Sequence, residues 1–138
     1  MTIYNDIRAA LDTQLITATG FPAEAHRAWE NVRFEPTTGT TWVATILLPA
    51  ESRPAIMGPA PQQLYTGLYQ VDIFAPEGEG PAEAETLADN IRAVFTVDDV
   101  LTSGSVNVRF RYSERIPAPP DPPWYRARVN VAWYTYRP

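Results

Sequence analysis

His26 is the only histidine in the chain, and the chain contains neither cysteine nor lysine. Without those side chains, thiolate nucleophiles, Schiff bases and the phosphate-binding lysine of P-loop proteins are excluded. A catalytic triad would need His26 near a serine held on a sharp turn, and the sequence contains no Gly-x-Ser-x-Gly motif. We therefore predict that the protein has no catalytic residues and is not an enzyme.

Acidic residues are concentrated in one segment, at Glu77, Glu79, Glu83, Glu85 and Asp89. Calcium loops place oxygen ligands at alternate positions and close with a glutamate, whereas here Pro81 divides the segment and begins a helix. The first turn of that helix favours acidic side chains because of its dipole, which accounts for Glu83 and Glu85. The neighbouring Asp98 and Asp99 should point apart. We predict no metal site.

The sequence Gly78-Glu79-Gly80 has a superficial likeness to a phosphate-binding loop. The remaining glycines of the dinucleotide fingerprint are missing, and no acidic residue is placed to bind a ribose. We therefore predict that the protein needs no cofactor.

The charge balance argues against binding to nucleic acid, because 16 acidic residues outnumber 11 basic ones and give a net charge of -5. All the basic residues are arginines, and they form no run that would bind DNA phosphates. With 138 residues, 45% of them hydrophobic, the chain predicts one domain, 1–138. No apolar run approaches the roughly 20 residues of a membrane span, and the N-terminus lacks a signal segment. We expect a protein without a membrane partner that is made and used in a bacterial cytoplasm.

Two amphipathic helices are predicted. In the first, apolar residues recur every four positions at Ile3, Ile7, Leu11 and Leu15, with Thr2 as the N-cap and residues 20–22 (GFP) as the end. The second begins near Pro81 at its first helical position. Its apolar stripe consists of Ala84, Leu87, Ala88, Ile91 and Phe95.

Strand patterns fill most of the remaining sequence. We predict strands at residues 41–48, ended by Pro49, and at 64–74, 105–112 and 124–137. Residues 23–31 fit either a short strand or a packed loop, and residues 32–35 fit a brief strand. Together these elements predict an α+β fold with an antiparallel or mixed sheet of four to five strands and two helices packed on one face.

Alternation along the last two long strands assigns their faces. Val106, Val108, Phe110 and Tyr112 should face the core, while the arginines should face outward. The outward arginines are Arg109, Arg111, Arg126 and Arg128. They form a basic patch if the two strands pair. Either nearby carboxylates neutralise this patch as a solvated face, or it is a contact between subunits.

Residues 49–63 contain four prolines and are predicted to be a long projecting loop. Arg53 offers hydrogen-bond donors for a neighbour, and Ile56 and Met57 offer apolar contact, so we expect the loop to be the main assembly surface. Alternatively the loop folds back over the sheet, or it serves as the lid of a ligand pocket. A second proline-rich segment, 116–123, should be stiff and extended.

The ordered combination of several short motifs resembles the phage tail terminator-like family. The motifs are residues 29–31 (WEN), 34–36 (FEP), 42–49 (WVATILLP), Gly58, 67–74 (GLYQVDIF), 76–80 (PEGEG), Ala84, 87–89 (LAD), Ile91 and Phe95. The resemblance covers roughly residues 2 to 135, although each motif alone is unspecific. Segments 23–28 and 117–123 do not map onto the family.

The resemblance implies a structural protein of the virion tail or neck, a tail terminator. Such a protein forms a ring, expected to be a hexamer, that caps the tail tube and stops its polymerisation. It then meets the head-completion or connector protein, and DNA passes through its lumen without sequence-specific binding. A neck protein of the same fold and, in a different class, a non-catalytic ligand-binding monomer remain as alternatives.

Overall fold

The computed structural model describes residues 2–59, 61–97, 99–104 and 106–137, apart from the side chain of Ile56. Asp98, which the sequence places beside Asp99 in a diverging pair, lies outside these residues. The helices are α1 (Ile3–Leu15) and α2 (Ala82–Val94). The strands are β1 (Arg27–Ala28), β2 (Trp42–Ile56), β3 (Gln62–Pro76), β4 (Val100–Ser103), β5 (Val106–Ile116) and β6 (Trp124–Arg137).

The strands form one mixed sheet in the order β1-β2-β3-β6-β5-β4. All neighbours are antiparallel except β1 and β2, which are parallel. The predicted α+β class and mixed sheet are confirmed, but the described strands number six instead of four to five. β4 was not predicted, and β1 lies in residues 23–31, which fit either a short strand or a packed loop. With four and two residues, both strands are too short for a clear alternation.

The core lies between the two helices and one face of the sheet. The predicted stripes of α1 and α2 are buried, with Ile7, Leu11 and Ile91 fully inaccessible. They pack against alternate residues of the sheet, such as Val71 and Val129, because side chains at every second strand position share a face. Burial of each such side chain contributes roughly 1.5–3 kcal/mol to folding.

The predicted loop at residues 49–63 is wrong, because β2 and β3 form a long hairpin. They pair from Trp42 and Phe74 to Ile56 and Gln62, and only residues 57–61 connect them. Pro49 is tolerated because, beyond Ala44, no described strand pairs with the edge of β2 opposite β3, so the missing N–H costs no hydrogen bond between strands.

The free edge of β2 is protected by a side chain. The amide of Leu47 points away from β3 and donates to Glu30 Oε1 at 2.8 Å. Glu30 follows β1 directly and also accepts from Arg8 Nη2 of α1 at 3.1 Å. The predicted strand at residues 32–35 is wrong, since this segment has no strand pairing and packs Phe34 against Trp42.

An irregularity in β5 reverses its alternation of faces. Phe110 pairs with Trp133 and Tyr112 with Ala132, so Arg111 is an extra residue, a β-bulge. The predicted inward side chain of Tyr112 is therefore wrong, and this residue is 46% exposed. Beyond the bulge, Arg115 turns towards the helices and its Nη2 lies 2.6 Å from Glu85 Oε1 of α2. This hydrogen-bonded pair lowers the pKa of Glu85.

Asp12 of α1 should make stability depend on pH in an unusual direction. Burial raises its pKa above the ordinary value of 3.8, outweighing the hydrogen bond from the Tyr69 hydroxyl and the charge of Arg8. A raised pKa in the folded state contributes stability below pH 3.8, which is lost as the pH rises through the folded value. Asp12→Asn keeps an acceptor for Tyr69 and should remove this loss.

The check is the melting temperature of wild type and Asp12→Asn across the range from about pH 7 to about pH 3. Asp12→Asn should be at least as stable as wild type near neutrality, and its advantage should disappear in acid. Asp89→Asn, at an exposed acid of α2, serves as the control. An advantage that grows as the pH falls would contradict the prediction.

Candidate assembly surfaces

The outer face of the sheet is the one turned away from α1 and α2. On β6 it carries every second residue from Trp124 to Tyr136, and these side chains lie in rows with their partners on neighbouring strands. One row crosses four strands, with Leu48, Leu68, Ala132 and Tyr112 side by side. Ile46 and Leu48 are 38% and 37% exposed, so this face combines apolar side chains with solvent access.

At one end of the outer face, Asp72 holds two arginines. Its carboxylate is 6% exposed and accepts from Arg126 Nη2 and, at 2.7 Å, from Arg128 Nε. The Arg126 guanidinium also lies 5.2 Å from the ring centre of Phe74, which stacks on Trp42 at 4.0 Å. Arg126 and Arg128 are thus outward-facing, as predicted, but both pair with one buried carboxylate.

The four arginines of the predicted basic patch do not lie together. Arg109 pairs with Tyr134 and Arg128 with Ile116, so six residues of β6 separate them, or about 20 Å. The sequence suggests that the two strands pair, but pairing alone does not determine the distance between Arg109 and Arg128. That distance depends on the register of the strands, which is determined by contacts between distant parts of the chain.

The other end of the outer face carries the Tyr–Arg surface, which we define as Arg109, Arg111, Tyr112, Tyr134 and Tyr136. The Arg111 guanidinium lies 5.2 Å from the ring centre of Tyr134, and Tyr134 meets Tyr136 edge to face at 6.0 Å. A groove of about 260 Å³ adjoins it, with Leu68 and Ala132 among its lining residues. Tyrosine and arginine are the residues that protein interfaces enrich.

The arginines of this surface are among the predicted outward residues, whereas Tyr112 is predicted to face the core and Tyr134 and Tyr136 have no predicted face. Tyr134 and Tyr136 alternate with the buried Trp133 and Thr135, so their outward orientation was available from the pattern. The outward orientation of Tyr112 could not be predicted from the pattern, because the bulge at Arg111 has no local sequence signal.

The tip of the β2–β3 hairpin is a second exposed surface. Met57 is 79% exposed, more than any other large hydrophobic residue of the described chain. Arg53 lies on β2 nearby, with 58% of its side chain exposed and its Nε 3.1 Å from Glu51. The third residue predicted here, Ile56, ends β2, but its side chain is outside the described part.

His26 lines a cavity of about 570 Å³ beside α2. The other polar groups of the cavity are threonines, Glu83 and Asn90, and the Thr41 hydroxyl donates to Glu83, not to His26. Asn90 donates to the Thr19 carbonyl at 2.9 Å. Among these lining residues there is no serine or cysteine, and the described chain shows no cluster of three metal-ligating side chains.

These features define an α+β protein with exposed apolar and charged surfaces suited to protein contacts. The chain matches the family of the phage tail terminator protein over residues 6–133, nearly its whole length. It belongs to this family, whose members are structural components of phage tails.

Comparison with known structures supports the fold independently. One solved protein, whose name describes no activity, superposes with a TM-score of 0.70 at 24% sequence identity. The match covers 99% of this chain and 97% of that protein. No curated protein sequence matches the chain. Within the described residues, no helix has the length and apolar character needed to cross a membrane.

Proposed function

We propose that this protein is the terminator that caps the tail tube as a hexameric ring, stops tube polymerisation and forms the interface to the head-completion proteins. The observation that carries the proposal is the family match over residues 6–133. The uncovered outer face and the exposed hairpin tip support it, since a ring subunit must bind both its neighbours and the tube.

Within this proposal the hairpin tip binds the tube. Its strand β3 pairs with β6 from Gln63 to Pro76, so the tip is presented on a rigid support. Met57 supplies the apolar contact, and Arg53 supplies donors for carboxylates or carbonyl groups. The ring is a virion component assembled in the host cytoplasm, and DNA passes through its lumen. No step of this role needs a catalytic residue.

Two alternatives predict different behaviour. A head-tail connector of the same fold would bind the portal side and leave tube length unchanged. For a ligand-binding monomer, the predicted lid was the loop at residues 49–63. This lid does not exist, because residues 49–56 and 62–63 belong to strands. The cavity at His26 is one candidate site for such a ligand.

The protein should arrest the growth of tail tubes when it is added to polymerising tube subunits. Tube lengths measured by electron microscopy should shorten as its concentration rises, with extra density at one end of each tube. The double variant Arg53→Ala with Met57→Ser should have a free energy of unfolding within about 0.5 kcal/mol of the wild-type value, because both residues are exposed. Tubes grown in its presence should nevertheless be overlong.

Arg33→Ala is the matched control, since Arg33 has 92% of its side chain exposed and lies outside the hairpin. It should cap tubes like wild type. A wild-type chain that stays monomeric and never binds tube ends would refute the terminator role. A hairpin double variant that caps normally would refute only the proposed tube contact.

A further inference from the structure

Most arginines of the described chain have a carboxylate partner. Ion pairs are formed by Arg8, Arg27, Arg33, Arg53, Arg92, Arg115, Arg126 and Arg128. Arg109, Arg111 and Arg137 have no such partner among the described residues. Arg109 and Arg111 belong to the Tyr–Arg surface, where Arg111 instead lies against the ring of Tyr134, and Arg137 follows Tyr136 at the same end of β6. The arginines without a described carboxylate partner therefore lie at this end of the sheet.

A group of exposed glutamates lies at the opposite end of the sheet. Glu77, Glu79 and Glu83 are exposed and, in the described chain, none of them meets an arginine. Glu77 and Glu79 occupy the acidic turn, which we define as residues 77–81 between β3 and α2, and Glu83 lies in the first turn of α2. Gly78 and Gly80 have φ values of 92° and 81°, which fold this segment into a tight projecting turn.

The two surfaces cannot meet within one chain. Tyr134 pairs with Thr66, and the acidic turn begins after Pro76 at the far end of β3, about 30 Å away. We propose that the Tyr–Arg surface binds the acidic turn of a second copy of this chain. The groove beside Arg111 receives the turn, and the two arginines pair with Glu77 and Glu79.

The chemistry of both sides fits this contact. Arginines stacked on tyrosines keep their donors available for carboxylates while the rings bury apolar area. Opposite charges that are unsatisfied in the monomer gain partners only on association, which favours the correct orientation of the two copies. Because the contact joins two different surfaces, it is heterologous, and repetition generates a ring when the rotation closes. The inference rests on the proposed ring-forming function and names its subunit interface.

Charge reversal tests the pairing directly. One variant is Arg109→Glu with Arg111→Glu, and the other is Glu77→Arg with Glu79→Arg. Light scattering at high protein concentration, alone and with tail tubes, gives the mass of the assembly for each variant and for their equimolar mixture. Each variant alone should associate roughly tenfold more weakly or worse, and the mixture should regain the wild-type mass, because each reversed surface then meets its reversed counterpart.

Controls separate this contact from general charge effects and from misfolding. Arg92→Glu and Asp89→Arg, on the exposed side of α2, should assemble like wild type. Melting temperatures should show that all variants fold. Since the chain has no cysteine, Arg111→Cys with Glu79→Cys should also give disulfide-linked multimers under mild oxidation.

The outcomes also separate this inference from the proposed function. The proposed contact is wrong if the reversal variants assemble like wild type, or if the mixture of folded variants does not regain the wild-type mass. In either case, tube capping by the wild-type protein would still support the terminator role. A wild-type chain that neither assembles nor caps tubes overturns both. Multimers that form equally well with Arg92→Cys in place of Arg111→Cys count against the contact, because they indicate random collision.

Discussion

Asp72→Ala should lower the free energy of unfolding by about 3 kcal/mol. The substitution leaves the guanidinium groups of Arg126 and Arg128 without their shared carboxylate, although only 20% and 17% of their side chains are exposed. Water cannot fully replace the lost partner, because Phe74 and Trp42 cover this part of the outer face. Urea denaturation followed by tryptophan fluorescence measures the change.

A matched substitution distinguishes the charge from the loss of volume. Asp72→Asn keeps the shape and one acceptor, so an intermediate loss is expected. Asp121→Ala, at an exposed acid three residues before β6, should change stability by less than about 0.5 kcal/mol. If Asp72→Ala were as stable as this control, the ion pairs would not contribute to the fold as we describe.

Gly67→Ala is expected to destabilise the protein by about 3 kcal/mol or more. A Cβ atom at this position would lie 2.5 Å from the indole of Trp133 and 2.6 Å from the Leu48 carbonyl oxygen. Trp133 is fully buried and cannot move aside, and the carbonyl belongs to the pairing of β2 with β3. Thermal denaturation should show the loss as a fall of many degrees in melting temperature.

Thr66→Ala, at the adjacent position on the outer face, controls for the general effect of substitution in β3. Its hydroxyl makes only long hydrogen bonds to Glu51, at 3.3 and 3.4 Å, so the loss should be small. Adding Trp133→Leu to Gly67→Ala should not restore stability, because the clash with the Leu48 carbonyl remains. A Gly67→Ala protein that melts like wild type would mean that the two strands separate easily here.

The elements that the sequence predicts well are those with a long, uninterrupted period. β6 has the predicted residues, and both helices have the predicted apolar stripes, because these patterns repeat over three turns or seven pairs of positions. The helix ends differ from the prediction, since α1 ends at Leu15, before residues 20–22, and Pro81 is the N-cap of α2 and not its first helical residue. The extension of β2 was missed because proline usually ends a strand, and only the sheet order shows that Pro49 lies on an edge.

The candidate surfaces were predictable in orientation but not in arrangement. Alternation correctly turned Arg109, Arg126 and Arg128 away from the core. The alternation could not show that Asp72, more than 50 residues away in sequence, forms ion pairs with Arg126 and Arg128. Those pairs depend on the register of β3 with β6. The bulge at Arg111 likewise follows from packing against β6 and has no residue type that signals it.

The protected edge of β2 has a consequence for the subunit before it joins a virion. An open strand edge is a template for aggregation, because its free amides and carbonyls pair with any other strand. Here Glu30 occupies the amide of Leu47, and Pro49 has no N–H to offer. A second chain therefore finds no continuous row of backbone donors on this edge, and two copies are less prone to join irreversibly through their backbones there.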